Sequence, residues 1–222
     1  MSMTASYRAL SSSLAKRLRE APALVRAVID ADAGDPQQPG VPPELRAMFN
    51  GLPPELRERL GESSELQGQF ADVVAMHAES SRSAEEALVS AGFTVADVRD
   101  ALDIEKAWHG LHYLLAGTVW QPTDPPGNAV LGGVEVGDDL GYGAARLMDA
   151  AEVARTAAAL GDLQVGELRA RYDADAMTKA KLYGGHWDDL SERDWVTDAF
   201  DHVTAYFGEA AKRGDAMLLY IV

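Results

Sequence analysis

SERDWVTDAFDHVTAYFGEAAKRGDAMLLYIV, residues 191–222, carries two periodicities in one unbroken stretch. In its first part Trp195, Ala199, Val203, Phe207 and Ala210 recur every third or fourth position, the spacing that lines side chains along one face of an α-helix. Ser191 to Asp194 has the polar, acid-bearing composition of a helix start, and Gly214 tolerates the left-handed conformation in which helices end. From Met217 to Val222 every residue is apolar, so this short run reads as a strand buried on both faces. A long helix running into a buried strand needs both a sheet and a helix layer, which is α+β architecture.

The rest of the chain supplies partners for that strand. Residues 3–9 read as a first strand, and the serines at 11–13 offer N-caps for a helix carrying Leu14 and Leu18. Pro22 fits the first turn of a short helix reaching Asp30. Over residues 33–61 the composition shifts to Pro, Gly and Gln, with Pro42-Pro-Glu-Leu-Arg46 echoed as Pro53-Pro-Glu-Leu-Arg57, and we read an excursion on the surface. Residues 64–90 hold a helix with Leu66, Phe70, Val73, Val74 and His77 near one face, and Thr94 to Asp97 resembles a capping box. Residues 102–117 read as a helix with Asp103 as N-cap, Ile104, Trp108, Leu111 and Leu115 at helical spacing, and Gly117 as its end. Residues 129–136 alternate like a strand broken by glycines, 137–143 read as a loop, and 144–148 as a short strand. Asp149 to Glu152 caps a helix reaching Leu160, short helices follow near 163–171 and 173–181, and 183–187 is a second glycine-bearing loop. The expectation is one helix-rich α+β domain over 1–222, with a small mixed or antiparallel sheet that includes the C-terminal strand.

Charge narrows the partners. Lys plus Arg number 20 against 35 Asp plus Glu, a formal net charge of −15, so a polyanion would meet long-range repulsion. No nucleic acid and no anionic membrane is expected as a partner. With no cysteine, thiol nucleophiles, disulfides and thiolate metal sites are excluded. No window reaches the roughly 18 apolar residues of a membrane span, and residues 1–10 lack an apolar core behind a basic start. A cytoplasmic protein is the expectation.

Several stretches together resemble the YfbM-like family, a bacterial domain of unknown function numbered 1877. They are Leu102-Asp-Ile-Glu-Lys-Ala-Trp-His-Gly-Leu-His-Tyr-Leu-Leu-Ala-Gly117, Ala129-Val-Leu-Gly-Gly133, Gly137-Asp-Asp-Leu-Gly-Tyr-Gly143 with Arg146, Leu182-Tyr-Gly-Gly185, the opening residues 1–7 and the final strand. The resemblance implies a small cytoplasmic α+β protein without an established activity, and it carries over no catalytic residue. On this reading residues 33–92 are a family-atypical helical insertion.

Three groups of residues are candidates for chemistry. His109 and His112 stand three apart on one helix and could share a divalent metal, but they lack the intervening Glu of a zincin helix, and Asp138, Asp139 or His186 could complete the set only if the fold brings them near, so no metal is expected. Asp138, Asp139, Tyr142 and Arg146 lie in a glycine-rich stretch where Arg146 could grip a carboxylate or phosphate through a bidentate fork. Tyr183, His186 and Trp187 flank the second glycine loop, whereas Trp108 and Trp195 read as core. No phosphate loop, dinucleotide fingerprint or Gly-x-Ser-x-Gly elbow is present, so no cofactor is expected. The first functional reading is a binding or interaction protein, possible partners being proteins with a basic surface, in the manner of immunity proteins. The alternative is an enzyme or small-molecule binder whose pocket joins the 108–112 helix, the 137–146 loop and the 183–187 loop.

Overall fold

The computed structural model describes residues 3–31 and 64–222. They divide into two compact units, Met1–Val25 with Asp97–Val222, and Arg26–Ala96.

The first unit is built on a five-stranded sheet. Strands β1 (Ala5–Leu10), β2 (Leu102–Asp103), β3 (Val134–Asp139), β4 (Ala144–Met148) and β5 (Ala216–Ile221) lie in the order β2-β1-β5-β4-β3. Every pairing is antiparallel. The apolar C-terminal run is therefore the central strand, with Tyr7 opposite Leu219 on one side and Leu147 opposite Leu218 on the other. Burial on both faces explains why β5 shows no polar alternation.

Helices cover the two faces. On one, Ala5, Tyr7, Ala9, Met148, Met217 and Leu219 join the core formed with α4 (Ala107–Ala116), α5 (Ala150–Asp162) and α8 (Leu190–Arg213). Helix α8 packs against both α4 and α5, and its expected stripe is buried from Ala199 to Ala210, with Trp195 packed at the margin. The other face meets α1 (Ser12–Glu20), whose Leu14 and Leu18 are fully buried. Ser11 caps α1 by accepting from the Leu14 amide, Asp149 caps α5 by accepting from the Glu152 amide, and Gly117 and Gly214 end α4 and α8 in the left-handed conformation. The short helices α6 (Val165–Ala170) and α7 (Ala174–Lys179) fall where residues 163–181 placed them.

Three expectations shift. The helix after Leu102 begins only at Ala107, because the preceding backbone is taken by β1: the Ile104 amide donates to Ala5 O and the Ala5 amide to Glu105 O. Asp103 caps a local turn instead, accepting from the Glu105 amide at 2.6 Å. Residues 129–131 form no strand but a turn, in which the Ala129 amide donates to Pro126 O and the following Gly132 amide to Asn128 O. Finally, β3 continues through Gly137 and Asp138 to Asp139, with an irregularity after Val136 that absorbs the glycine.

In the second unit, α2 (Leu24–Asp30) crosses the boundary and α3 (Ser64–Ser90) is the long helix expected there. Asp30 links its elements, pairing with Arg26 at 2.9 Å and accepting from Ser80 Oγ at 3.1 Å. The excursion read over residues 33–61 lies outside the described residues, as do the side chains of Leu66, Phe70, Val73, Val74 and His77. Among the described residues no helix is long and apolar enough to cross a membrane.

Candidate functional site

Helix α4 points His109 and His112 into the protein rather than toward solvent; their exposures are 1% and 0%. The Tyr183 amide donates to His109 Nδ1 at 2.8 Å, so that nitrogen carries no proton. Its proton therefore sits on Nε2, which donates to Val119 O at 3.0 Å. The ring stacks on Trp108 at 4.5 Å and 7°, and the half-exposed Trp120 ring lies 4.6 Å away. Burial pushes the His109 pKa down, with the Val119 carbonyl opposing it. With both nitrogens engaged, His109 is a structural imidazole with no lone pair left for a metal.

His112 differs. Neither ring nitrogen has a hydrogen-bond partner among the described residues, and burial, then the neighbouring His109, pushes its pKa down to about 4. It is a neutral imidazole at pH 7. Among the described residues no group of three or more His, Asp or Glu side chains is placed to hold a metal ion.

The glycine-rich stretch forms the β3–β4 hairpin. Asp139 Oδ1 accepts from the Gly141 and Gly143 amides at 2.6 and 3.1 Å, so this carboxylate shapes the turn. Tyr142 at the tip is 38% exposed, and Asp138 is exposed on β3. Arg146 faces Glu135 across the ladder, pairing with its carboxylate at 2.9 Å and donating to Gly133 O at 3.3 Å. Its guanidinium is thus engaged within the sheet. Since Glu135 is 65% exposed at its side chain, Arg146→Ala is expected to cost about 1 kcal/mol or less, read as a small shift of the urea midpoint that shrinks further in high salt.

The 183–187 loop packs onto α4. Tyr183 bonds His109 through its amide and accepts from the Met3 amide at its hydroxyl, 3.0 Å. Trp187 is 3% exposed, with Nε1 donating to Leu182 O and its own carbonyl accepting from Tyr172 Oη. His186 stays exposed. The structure thus brings His109, Tyr183 and Trp187 together against α4, while Asp139, Tyr142 and Arg146 gather on the hairpin. No hydrogen bond or ion pair of His109, His112, Asp138, Asp139, Tyr142 or Arg146 joins the two groups.

A separate cleft of about 630 Å³ opens between residues 122–133 and the start of α5. Asn128 lies in its wall at 6% exposure, its Oδ1 accepting from Thr156 Oγ1 at 3.1 Å and its Nδ2 donating to Glu152 at 3.3 Å. Arg155, one turn beyond Glu152, reaches the same cleft and pairs with no side chain among the described residues.

A family model described as a domain of unknown function, DUF1877, matches residues 1–220 of the chain. The chain belongs to the DUF1877 family. The DUF1877 match spans the 33–92 stretch as well as the segments that carried the resemblance. Among solved structures this DUF1877 chain is similar to a protein of unknown function, YfbM from Escherichia coli, with 16% identity, a TM-score of 0.55, and 99% of each chain covered. At that identity the likeness concerns the fold. No curated protein matches the chain.

Sequence reasoning about this DUF1877 protein overlooked the Asn128–Arg155 cleft. Pro122 to Asn128 offered only turn composition, and Arg155 stands on a helix face whose simplest reading is solvent. The one available signal was Asn128 ahead of a buried Ala129-Val-Leu131 run, because a polar side chain beside a buried segment needs partners.

Proposed function

We propose that the protein is a binding protein whose partner presents a basic surface, and that the first half of α8 receives it. The observation that carries this reading is the exposed acid at the start of α8, where Asp188 and Asp189 stand in solvent close enough to act on Tyr172. Its hydroxyl pKa is pushed up to about 12 by burial first and by Glu192 next, with Asp189 and Asp188 adding to the rise and Arg193 opposing it. Burial is the larger cause of that rise, and the three carboxylates add a negative contribution that Arg193 partly offsets. Asp198 and Asp201 extend exposed acid along the same helix, while Asp194 is shared between Arg169 and Arg193. With a net charge of −15 behind it, such a surface steers a basic partner and accelerates encounter. The mode is that of a mask over a basic surface, as an immunity protein covers its toxin.

The alternative pocket built from His109, His112 and Arg146 has less support, since His109 and Arg146 already bond within the fold. Asp188→Lys combined with Asp198→Lys and Asp201→Lys tests the proposal, sparing the helix cap Asp189. Pull-down of the parent chain from native extract is expected to recover a stoichiometric basic protein, and the triple variant to lose it with unchanged circular dichroism. An acidic partner, equal recovery by both chains, or a partner-free monomer from every native preparation overturns the reading.

A further inference from the structure

The cleft beside α5 carries charges that the fold leaves unspent. Asp124 and Arg155 line it, and neither side chain has a hydrogen-bond or ion-pair partner among the described residues. Glu152 stands one helical turn before Arg155, and residues so spaced share a face with Cβ atoms about 5–6 Å apart. They nevertheless form no ion pair, and Glu152 Oε1 instead accepts from the Asn128 amide at 3.3 Å. Asn128 is itself fixed: it is 6% exposed and holds the hydroxyl of the fully buried Thr156 on its Oδ1. Its amide nitrogen has a second hydrogen to give. Asn128 is thus a buried, doubly anchored amide in the wall of a cleft whose rim carries the solvent-exposed guanidinium of Arg155 and carboxylate of Asp124, so the fixed part of the site is the amide and the two charges stand free to meet a ligand.

We propose that this cleft binds a small zwitterion of the α-amino acid class, its carboxylate on Arg155 and the free Asn128 N–H, its ammonium on Asp124 and Glu152. Charge selects that class over simpler ones. The two carboxylates and one guanidinium sum to one negative charge in a strongly acidic protein, so phosphate and other dianions are disfavoured. A cation without an anion leaves Arg155 facing it, and a lone carboxylate leaves Asp124 and Glu152 uncompensated; only a ligand bearing both charges answers all three groups. The volume of about 630 Å³ accommodates it with room for a side chain. This site uses different residues from the α8 surface, so its failure leaves the basic-partner reading untouched.

Isothermal titration of the full chain at low salt tests the proposal, with glycine, L-alanine, L-glutamate and L-lysine as probes and acetate, methylammonium and inorganic phosphate as comparators. At least one amino acid is expected to bind about tenfold or more tightly than each comparator, and Arg155→Gln to weaken it by about tenfold, the scale of one lost charge-assisted contact. Asp124→Asn is expected to weaken amino-acid binding through loss of an ammonium contact, while acetate binding is not weakened and gains from the removed repulsion. Both variants keep the parent thermal midpoint, because neither side chain bonds to another group among the described residues. Best binding by phosphate or acetate, best binding by methylammonium, no binding of any amino acid at millimolar concentration, or indifference to Arg155→Gln each overturns it.

Discussion

Gly110→Ala is expected to destabilise the chain by about 2 kcal/mol, although alanine is the better helix former by about 1 kcal/mol. Propensity and packing predict opposite signs here, and the distances decide. A Cβ at residue 110 would stand 2.7 Å from Trp187 Cη2, 2.8 Å from Cζ3 and 3.0 Å from Val196 Cγ2. The Trp187 ring has little freedom to yield. Its Nε1 is bonded to Leu182 O, and the same ring edge also lies where a Cβ on Gly185 would be. Gly208→Ala on α8 is the control, since no atom lies within 4 Å of its added Cβ, and there propensity alone should stabilise by about 0.5–1 kcal/mol. Urea unfolding followed by tryptophan fluorescence reads both, and a Gly110→Ala chain more stable than the parent would show that α4 does not depend on this close approach.

Acid is expected to weaken the protein well before its carboxylates protonate. Folded, His112 stays neutral down to about pH 4, whereas its unfolded imidazole takes a proton near the ordinary value of 6.5. Between those values the unfolded chain holds more protons, so stability is complete above about pH 6.5 and declines as the pH falls toward 4. The gap corresponds to about 3 kcal/mol. His109, also shifted down, adds loss in the same direction. Asp189 and Glu209, both held below their usual values by hydrogen bonds, contribute only at still lower pH. His112→Leu removes two buried nitrogens that have no partner, so it is expected to be neutral or stabilising at pH 7 and to flatten the profile. Unfolding free energies of both chains from pH 7 to 4 provide the check. A slope that survives intact in His112→Leu would assign the acid lability to other groups.

The contrast between these two sites shows where sequence reading succeeds. Ser11 with Leu14 and Leu18, Asp149 with Glu152, and Gly117 and Gly214 were all legible because caps and stripes are local: each group and its partner lie within one or two turns. Asp103 misled for the opposite reason. It has the chemistry of a helix cap, but β1, nearly a hundred residues earlier, claims the backbone that follows it. The hairpin misled similarly, because an irregularity let Gly137 and Asp138 stay within a strand that their composition argued against.

Side-chain roles followed the same division. Arg146 has the right chemistry for an anion fork, and only the cross-strand register with Glu135 commits it elsewhere. Arg155 carries the same guanidinium with Glu152 one turn away, yet Glu152 accepts from Asn128 instead, which no local pattern reveals. His109 and His112 share a helix and a spacing, yet one is fully bonded and the other bonded to nothing. That difference arises in the Tyr183 amide and the Val119 carbonyl, outside the helix itself.

The sequence alone therefore determined most element types, most of their ends, the α+β class and the family, since periodicity, caps and charge act between near neighbours. Tertiary structure alone decided the strand order, the tautomer of His109, the isolation of His112 and the set of charges left free at the Asn128 cleft. Those depend on which distant backbone and side-chain groups meet, and a hydrogen bond or a desolvated ring exists only once they do.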